Sequence, residues 1–295
     1  MIRTKRVYVV INPAAGRDEP VLNTINDVFV EHGVQWDAGI THGPGDARRL
    51  AAKAAEEGYD IVAGYGGDGT QMEVVNGLLG TESTFAILPG GTGNAMAFEL
   101  GVPRTLRAAT ELICTSRLTR AVDVGRSCGQ NFLLRAYTGP RPEHLATREE
   151  KNSLGLLAYP LATFRVLVNL KESSYRITID GETFEDRGLA CFVFNAGSSG
   201  GIPANLPSVS VSDGLLDVFL LSGHAHSPLA LASFLLDPNS ADTHVHFWKG
   251  REITIESEEK QPIWLDGEPA GETPGHFLVQ PGALSVIVPS PTRQV

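Results

Sequence analysis

The stretch Asp60-Ile61-Val62-Ala63-Gly64-Tyr65-Gly66-Gly67-Asp68-Gly69-Thr70 decides the fold. Its first half, Asp60 to Gly64, is an apolar run without polar alternation, the pattern of a strand buried on both faces of a parallel sheet. Its second half is a glycine-rich turn that leads into a helix. Outward from it, the same unit recurs. Val7–Ile11 runs into Asn12-Pro13-Ala14-Ala15-Gly16, and Thr84–Leu88 runs into Pro89-Gly90-Gly91-Thr92-Gly93-Asn94. Val21–His32 reads as a helix stopped by Gly33, and Val34–Ile40 as a second strand. A helix opened by Asp46 places Ala47, Leu50, Ala51, Ala54 and Ala55 on one face before Gly58 ends it. With Arg120–Val124 as a fifth strand, the alternation predicts a doubly wound α/β domain.

In such a sheet, ligands collect beyond the carboxyl ends of the strands. Glycines let the backbone approach a ligand, and the next helix offers unpaired N–H groups and a positive dipole end. Three such turns at successive strand ends suit phosphate oxygens. No GxxxxGK[ST] run is present and the glycine turns after the third and fourth strands lack lysine, so a polyphosphate requires a metal ion or cations from elsewhere. Asp68, a carboxylate among bare amides, suits Mg²⁺ binding or acceptance of a hydroxyl proton. Both duties belong to phosphoryl transfer.

A length of 295 residues favours two domains, and 42% hydrophobic with 20% charged residues describes a folded globular chain. The net charge of −10 supplies no excess of cations for a nucleic-acid backbone. Cys114, Cys128 and Cys191 are scattered and odd in number, as free thiols in a reducing compartment would be. No run has the length of a signal-peptide core or a membrane span. The chain reads as cytoplasmic.

From Gly125 onward, short runs rich in Val, Ile and Phe predict a β-sandwich over residues 125–295, after a nucleotide-binding domain over 1–124. The strands expected are Tyr175–Ile179, turning at Asp180-Gly181, then Leu189–Asn195, Leu215–Leu221, Arg251–Ile255, His276–Gln280 and Leu284–Val288. Lys151–Leu170 and Ser227–Leu236 could each hold a helix. Read from the residues alone, the acidic clusters Ser212–Asp217 and Trp264–Pro269 are solvated turns. His224 with His226, and His244 with His246, have strand-face spacing but no evident third ligand for a metal.

GGDGT after a buried strand, NPAAG after the first strand and PGGTGN after the fourth resemble the diacylglycerol kinase catalytic domain of bacterial diacylglycerol kinases and of sphingosine and ceramide kinases. The resemblance spans nearly the whole chain. It implies a lipid kinase that transfers the γ-phosphoryl group of ATP to a lipid hydroxyl, most readily diacylglycerol. It implies ATP contacts at Asn12, Pro13, Thr41, Gly66, Gly67, Asp68, Gly69, Thr70, Gln71, Met72, Gly91, Thr92 and Asn94. Thr41 comes from the run Thr-x-x-x-Gly-Asp-Ala. It further implies Glu268 as proton acceptor, Asp266 in support of metal or base, and a structural Mg²⁺ on Ser210, Asp213 and Leu215. It expects the lipid at a cleft between the domains, Leu154–Leu170 as a wall or core, and the last segment, from Leu284, packed on the first domain. A peripheral association with the inner face of the membrane and a homodimer are compatible with it. The family often carries Asp after the asparagine of the fourth turn, where this chain has Ala95. Two rivals follow: an NAD kinase-like enzyme with a soluble acceptor, and a catalytically silent sensor.

Overall fold

The computed structural model describes residues 5–15, 19–139, 172–197, 209–222 and 245–290. They form two compact units. The first holds the chain to Asp123 and again from Pro281, and the second holds Val124–Gly197 and the described residues up to Gln280.

The first unit alternates β1 (Arg6–Ile11), α1 (Val21–Glu31), β2 (Gln35–Ile40), α2 (Asp46–Glu56), β3 (Ile61–Gly66), α3 (Asp68–Leu78), β4 (Thr84–Pro89), α4 (Ala95–Glu99) and α5 (Leu106–Thr115). Strands β1 to β4 pair in parallel: β1 lies between β2 and β3, and β4 flanks β3. Every residue of β3 is buried, as its unbroken apolar run requires. Helix α2 buries Ala47, Leu50, Ala51 and Ala54, the stripe anticipated from spacing. Thr105 caps α5 by accepting from the N–H of Ala108 at 3.4 Å. The chain order reverses between β1 and β3, and the carboxyl ends of those two strands form the switch point.

β5 (Thr119–Ser127) carries the chain into the second unit. There follow β6 (Gln130–Phe132), β7 (Arg135–Thr138), β8 (Ser173–Ile179), β9 (Glu182–Phe194), β10 (Leu216–Ser222), β11 (Val245–Gly250), β12 (Glu252–Ser257), β13 (Pro262–Leu265), β14 (Glu268–Glu272) and β15 (Gly275–Ile287). The β8–β9 hairpin turns at Asp180-Gly181, both at positive φ. Alternate residues build the core: Tyr175, Ile177 and Ile179 on β8, Leu216, Val218 and Leu220 on β10, Ile253 and Ile255 on β12. Each such aliphatic side chain contributes about 2 kcal/mol through burial. On the opposite face Trp264, Tyr137, Phe192, Phe219 and Phe247 stand in register across β13, β7, β9, β10 and β11.

β15 is one strand where the sequence suggests two. Gly275–Leu278 pairs with β12, while Val286 pairs in parallel with Phe85 of β4. Pro281 and Gly282 would ordinarily end a strand. Here Gly282, at φ +58°, donates its N–H to Asp123 Oδ1 at 2.7 Å, so a side chain replaces the missing ladder bond and the strand continues. The run Leu154–Leu170, the segment Ser227–Leu236, and His224, His226 and His244 lie outside the described residues. Among the described residues no helix is long and apolar enough to cross a membrane.

Candidate active site

Three turns meet at the switch point. Asn12 Nδ2 donates to Thr70 Oγ1 at 2.8 Å, and the Asn12 N–H donates to the Tyr65 carbonyl at 3.0 Å, so the turns after β1 and β3 are bonded together. Asn12 Oδ1 accepts the N–H of Ala14, which folds Pro13 outward to an exposed position. The turn after β4 lies against the turn after β3. A Cβ placed on Gly91 would stand 2.5 Å from the Gly67 Cα, so position 91 requires glycine. Asn94, at φ +49°, accepts from the Gly91 N–H at 3.0 Å and donates back to its carbonyl at 2.6 Å, holding that turn closed, with Thr92 exposed.

Asp68 opens α3, and its Oδ1 accepts the Ala95 N–H at 2.7 Å. Its other oxygen faces Gly93, where a Cβ would approach to 2.9 Å, so glycine keeps that oxygen open. Ala95 itself is buried at 4% exposure, and its contribution here is its N–H.

The helix termini differ in availability. At α2 the N–H groups of Gly45 and Ala47 donate to the carboxylate of Glu73, at 2.9 and 3.1 Å. At α4 the first N–H is taken by Asp68. At α3, among the described residues, no side chain accepts from the first-turn N–H groups. Its terminus, at Gly67–Thr70, is therefore the one of these three that remains open to an anion. Gln71, at 2% exposure, points inward instead: its Nε2 donates to the carbonyls of Gly64 at 2.9 Å and Gly66 at 3.2 Å. It shapes the turn rather than lining it. Thr41 sits at the end of β2 with its N–H on the Ile11 carbonyl, and Met72 is half-buried.

In the second unit, Asp266 and Gly267 form the turn between β13 and β14 at φ +50° and +95°. The Asp266 carboxylate accepts the N–H groups of Leu133, Leu134 and Arg135 at 2.7, 2.9 and 2.9 Å. Burial pushes its pKa up, and the three N–H donors pull against that shift. Its observed duty is to lock the turn. Glu268 follows, exposed, as the first residue of β14.

The resemblance implies Mg²⁺ at Ser210, Asp213 and Leu215. Asp213 Oδ1 accepts the Leu215 N–H at 3.2 Å, and Oδ2 faces Lys249 Nζ at 3.3 Å. Asp217, fully buried and paired across the strands with Lys249, lies 3.0 Å from the same ammonium. Two carboxylates against one ammonium leave room for a further cation, and a carboxylate with main-chain oxygens is a hard donor set, so these residues fit Mg²⁺. Among the described residues no three His, Cys, Asp or Glu side chains gather as a metal site, so a cation here would depend on carbonyls. His246 lies 3.1 Å from Asp186.

Sequence reasoning missed Glu73 and Lys249, whose partners lie far away in the chain. The inward direction of Gln71 was within reach, because it shares the buried face of α3 with Val74, Val75 and Leu78.

Residues 6–127 match the sequence model of the diacylglycerol kinase catalytic domain, and residues 143–288 match that of the YegS C-terminal NAD kinase beta sandwich-like domain. A diacylglycerol kinase of Bacillus subtilis (strain 168) is 31% identical over 97% of both chains. One of Staphylococcus saprophyticus is 28% identical over 97% of this chain and 96% of its own. A crystal structure of a diacylglycerol kinase from Bacillus anthracis str. Sterne superposes with a TM-score of 0.83 at 30% identity, covering 98% of this chain and 99% of its own. With its turns, its two units and its relatives in agreement over almost their full length, the chain belongs to the diacylglycerol kinase catalytic domain family, in the two-domain form with a β-sandwich-like second domain.

Proposed function

We propose that this chain is an ATP- and Mg²⁺-dependent lipid kinase that phosphorylates diacylglycerol to phosphatidic acid. The observation that carries the nucleotide half is the open N-terminus of α3, ringed by the turns that Asn12 and Asp68 hold together. The names of the relatives support the acceptor.

The phosphates of ATP rest on the N–H groups of Gly67–Thr70, with Asn12, Thr41, Gly91, Thr92 and Asn94 around them. Mg²⁺, when bound with the nucleotide, offsets the phosphate charge that these turns, without lysine, leave uncovered. Asp68 holds its open oxygen toward that charge. The lipid hydroxyl oxygen attacks the γ-phosphorus, the bond from that phosphorus to the bridging oxygen breaks, ADP leaves, and Glu268 accepts the hydroxyl proton. Asp266 supports the base by fixing the turn from which Glu268 projects. The lipid is met at the surface of the membrane that contains it.

The test is transfer of labelled γ-phosphate from Mg·ATP to detergent-dispersed lipids, with NAD alongside, for wild type, Asp68→Asn and Glu268→Gln. Label in diacylglycerol, lost in both variants, is the expected result. Label in NAD, or none despite ATP binding, overturns the reading.

A further inference from the structure

Helix α3 reaches a different strand-end turn with each polar side chain of its first two turns. Asp68 reaches the turn after β4, Thr70 meets Asn12 after β1, Gln71 holds the end of β3, and Glu73 reaches the turn after β2. We propose that Glu73, which caps α2 across the helix pair through Gly45 and Ala47, is a positioning residue for the nucleotide. The inference rests on the nucleotide reading given above.

The turn after β2 cannot cap its own helix. Its N-cap is Gly45, at φ +85° and without a side chain. Asp46, the next residue, turns back to accept the His42 N–H at 2.8 Å and to pair with Arg49 at 2.8 Å. The Asp46 N–H turns to the Gly43 carbonyl, and the N–H groups of Gly45 and Ala47 are met from outside, by both oxygens of Glu73. Two effects follow. The Thr41–Gly45 turn is fixed to the same helix whose N-terminus faces the phosphates, so Thr41 keeps a set place relative to Gly67–Thr70. The negative charge of Glu73 also fills the positive end of α2, so of the α2 and α3 termini only that of α3 is left for an anion.

The experiment measures ATP binding by calorimetry, with KM for ATP, KM for the lipid acceptor and kcat, on the full chain and on Glu73→Ala and Glu73→Gln. The expected result for Glu73→Ala is an ATP dissociation constant and KM raised about tenfold, the size of a lost helix cap, with acceptor KM and kcat within about twofold. Glu73→Gln, which keeps one accepting oxygen, recovers about half of the loss on a logarithmic scale. Unchanged ATP affinity in a folded variant overturns the proposal, as does an equal rise in acceptor KM. Should Glu73→Ala fail to fold, Glu73→Gln decides by the same criteria. A wild type that binds no ATP overturns the nucleotide reading itself, before any variant is compared.

Discussion

Asp68 and Ala95 are joined by a 2.7 Å hydrogen bond from the Ala95 N–H to Asp68 Oδ1, which ties the turn after β3 to the first residue of α4. The carboxylate thus has a structural half and an open half. Asp68→Asn keeps an oxygen for the Ala95 N–H, so the variant should stay within about 1 kcal/mol of wild-type stability. The lost charge should lower phosphoryl transfer by about 10²-fold or more. Thermal melting and label transfer on one preparation check both. A large loss of stability would refute the separation.

Glu268 begins β14 exposed. Glu268→Gln should therefore melt with the wild type and bind ATP as tightly, while kcat falls by about 10²–10⁴-fold. A variant that retains most of its kcat would remove Glu268 as the proton acceptor.

Asp266 answers for three N–H groups and sits at φ +50°. Asp266→Ala leaves those donors without their acceptor and puts a Cβ residue without local compensation at positive φ, for a loss of about 2–4 kcal/mol. Asp266→Asn keeps one acceptor and tolerates the backbone angle, so urea denaturation should place it between wild type and alanine. Equal stabilities for all three would show that the turn does not depend on this carboxylate.

Burial pushes the Asp217 carboxyl up to about 6 from 3.8, against the pull of Lys249. A carboxyl with a raised native pKa binds its proton more tightly in the folded chain. Its stabilising contribution is full below about pH 4 and is lost as pH rises through 6, by about 3 kcal/mol. Urea denaturation between pH 4 and 7 should show wild type losing stability relative to Asp217→Asn across that window. Parallel curves would contradict the burial argument.

The first unit was legible because its information is local. Strand, glycine turn and helix each declare themselves within a dozen residues, and Asp180-Gly181 does the same for one hairpin of the second unit. Strands β6, β7, β13 and β14 were not, because each is short and takes its extended form from its partners. Glu268-Pro269-Ala270-Gly271-Glu272 contains no β-branched residue at all. Pro281-Gly282 misled for a related reason, since Asp123, far away in sequence, carries the strand through it. In the candidate site, the glycine turns and Asp68 could be read directly. Glu73 could not, because nothing near it shows that its carboxylate ends on Gly45 and Ala47.

The bond between Asp123 and Gly282 places the departure and the return of the chain at one spot of the first unit. The described residues between are, in topological terms, a single insertion with adjoining ends. Recombination at that seam can exchange the inserted unit whole while the glycine-rich turns of the first unit keep their sequence. On the function proposed above, such an exchange would change the acceptor and leave the turns proposed for the nucleotide as they are.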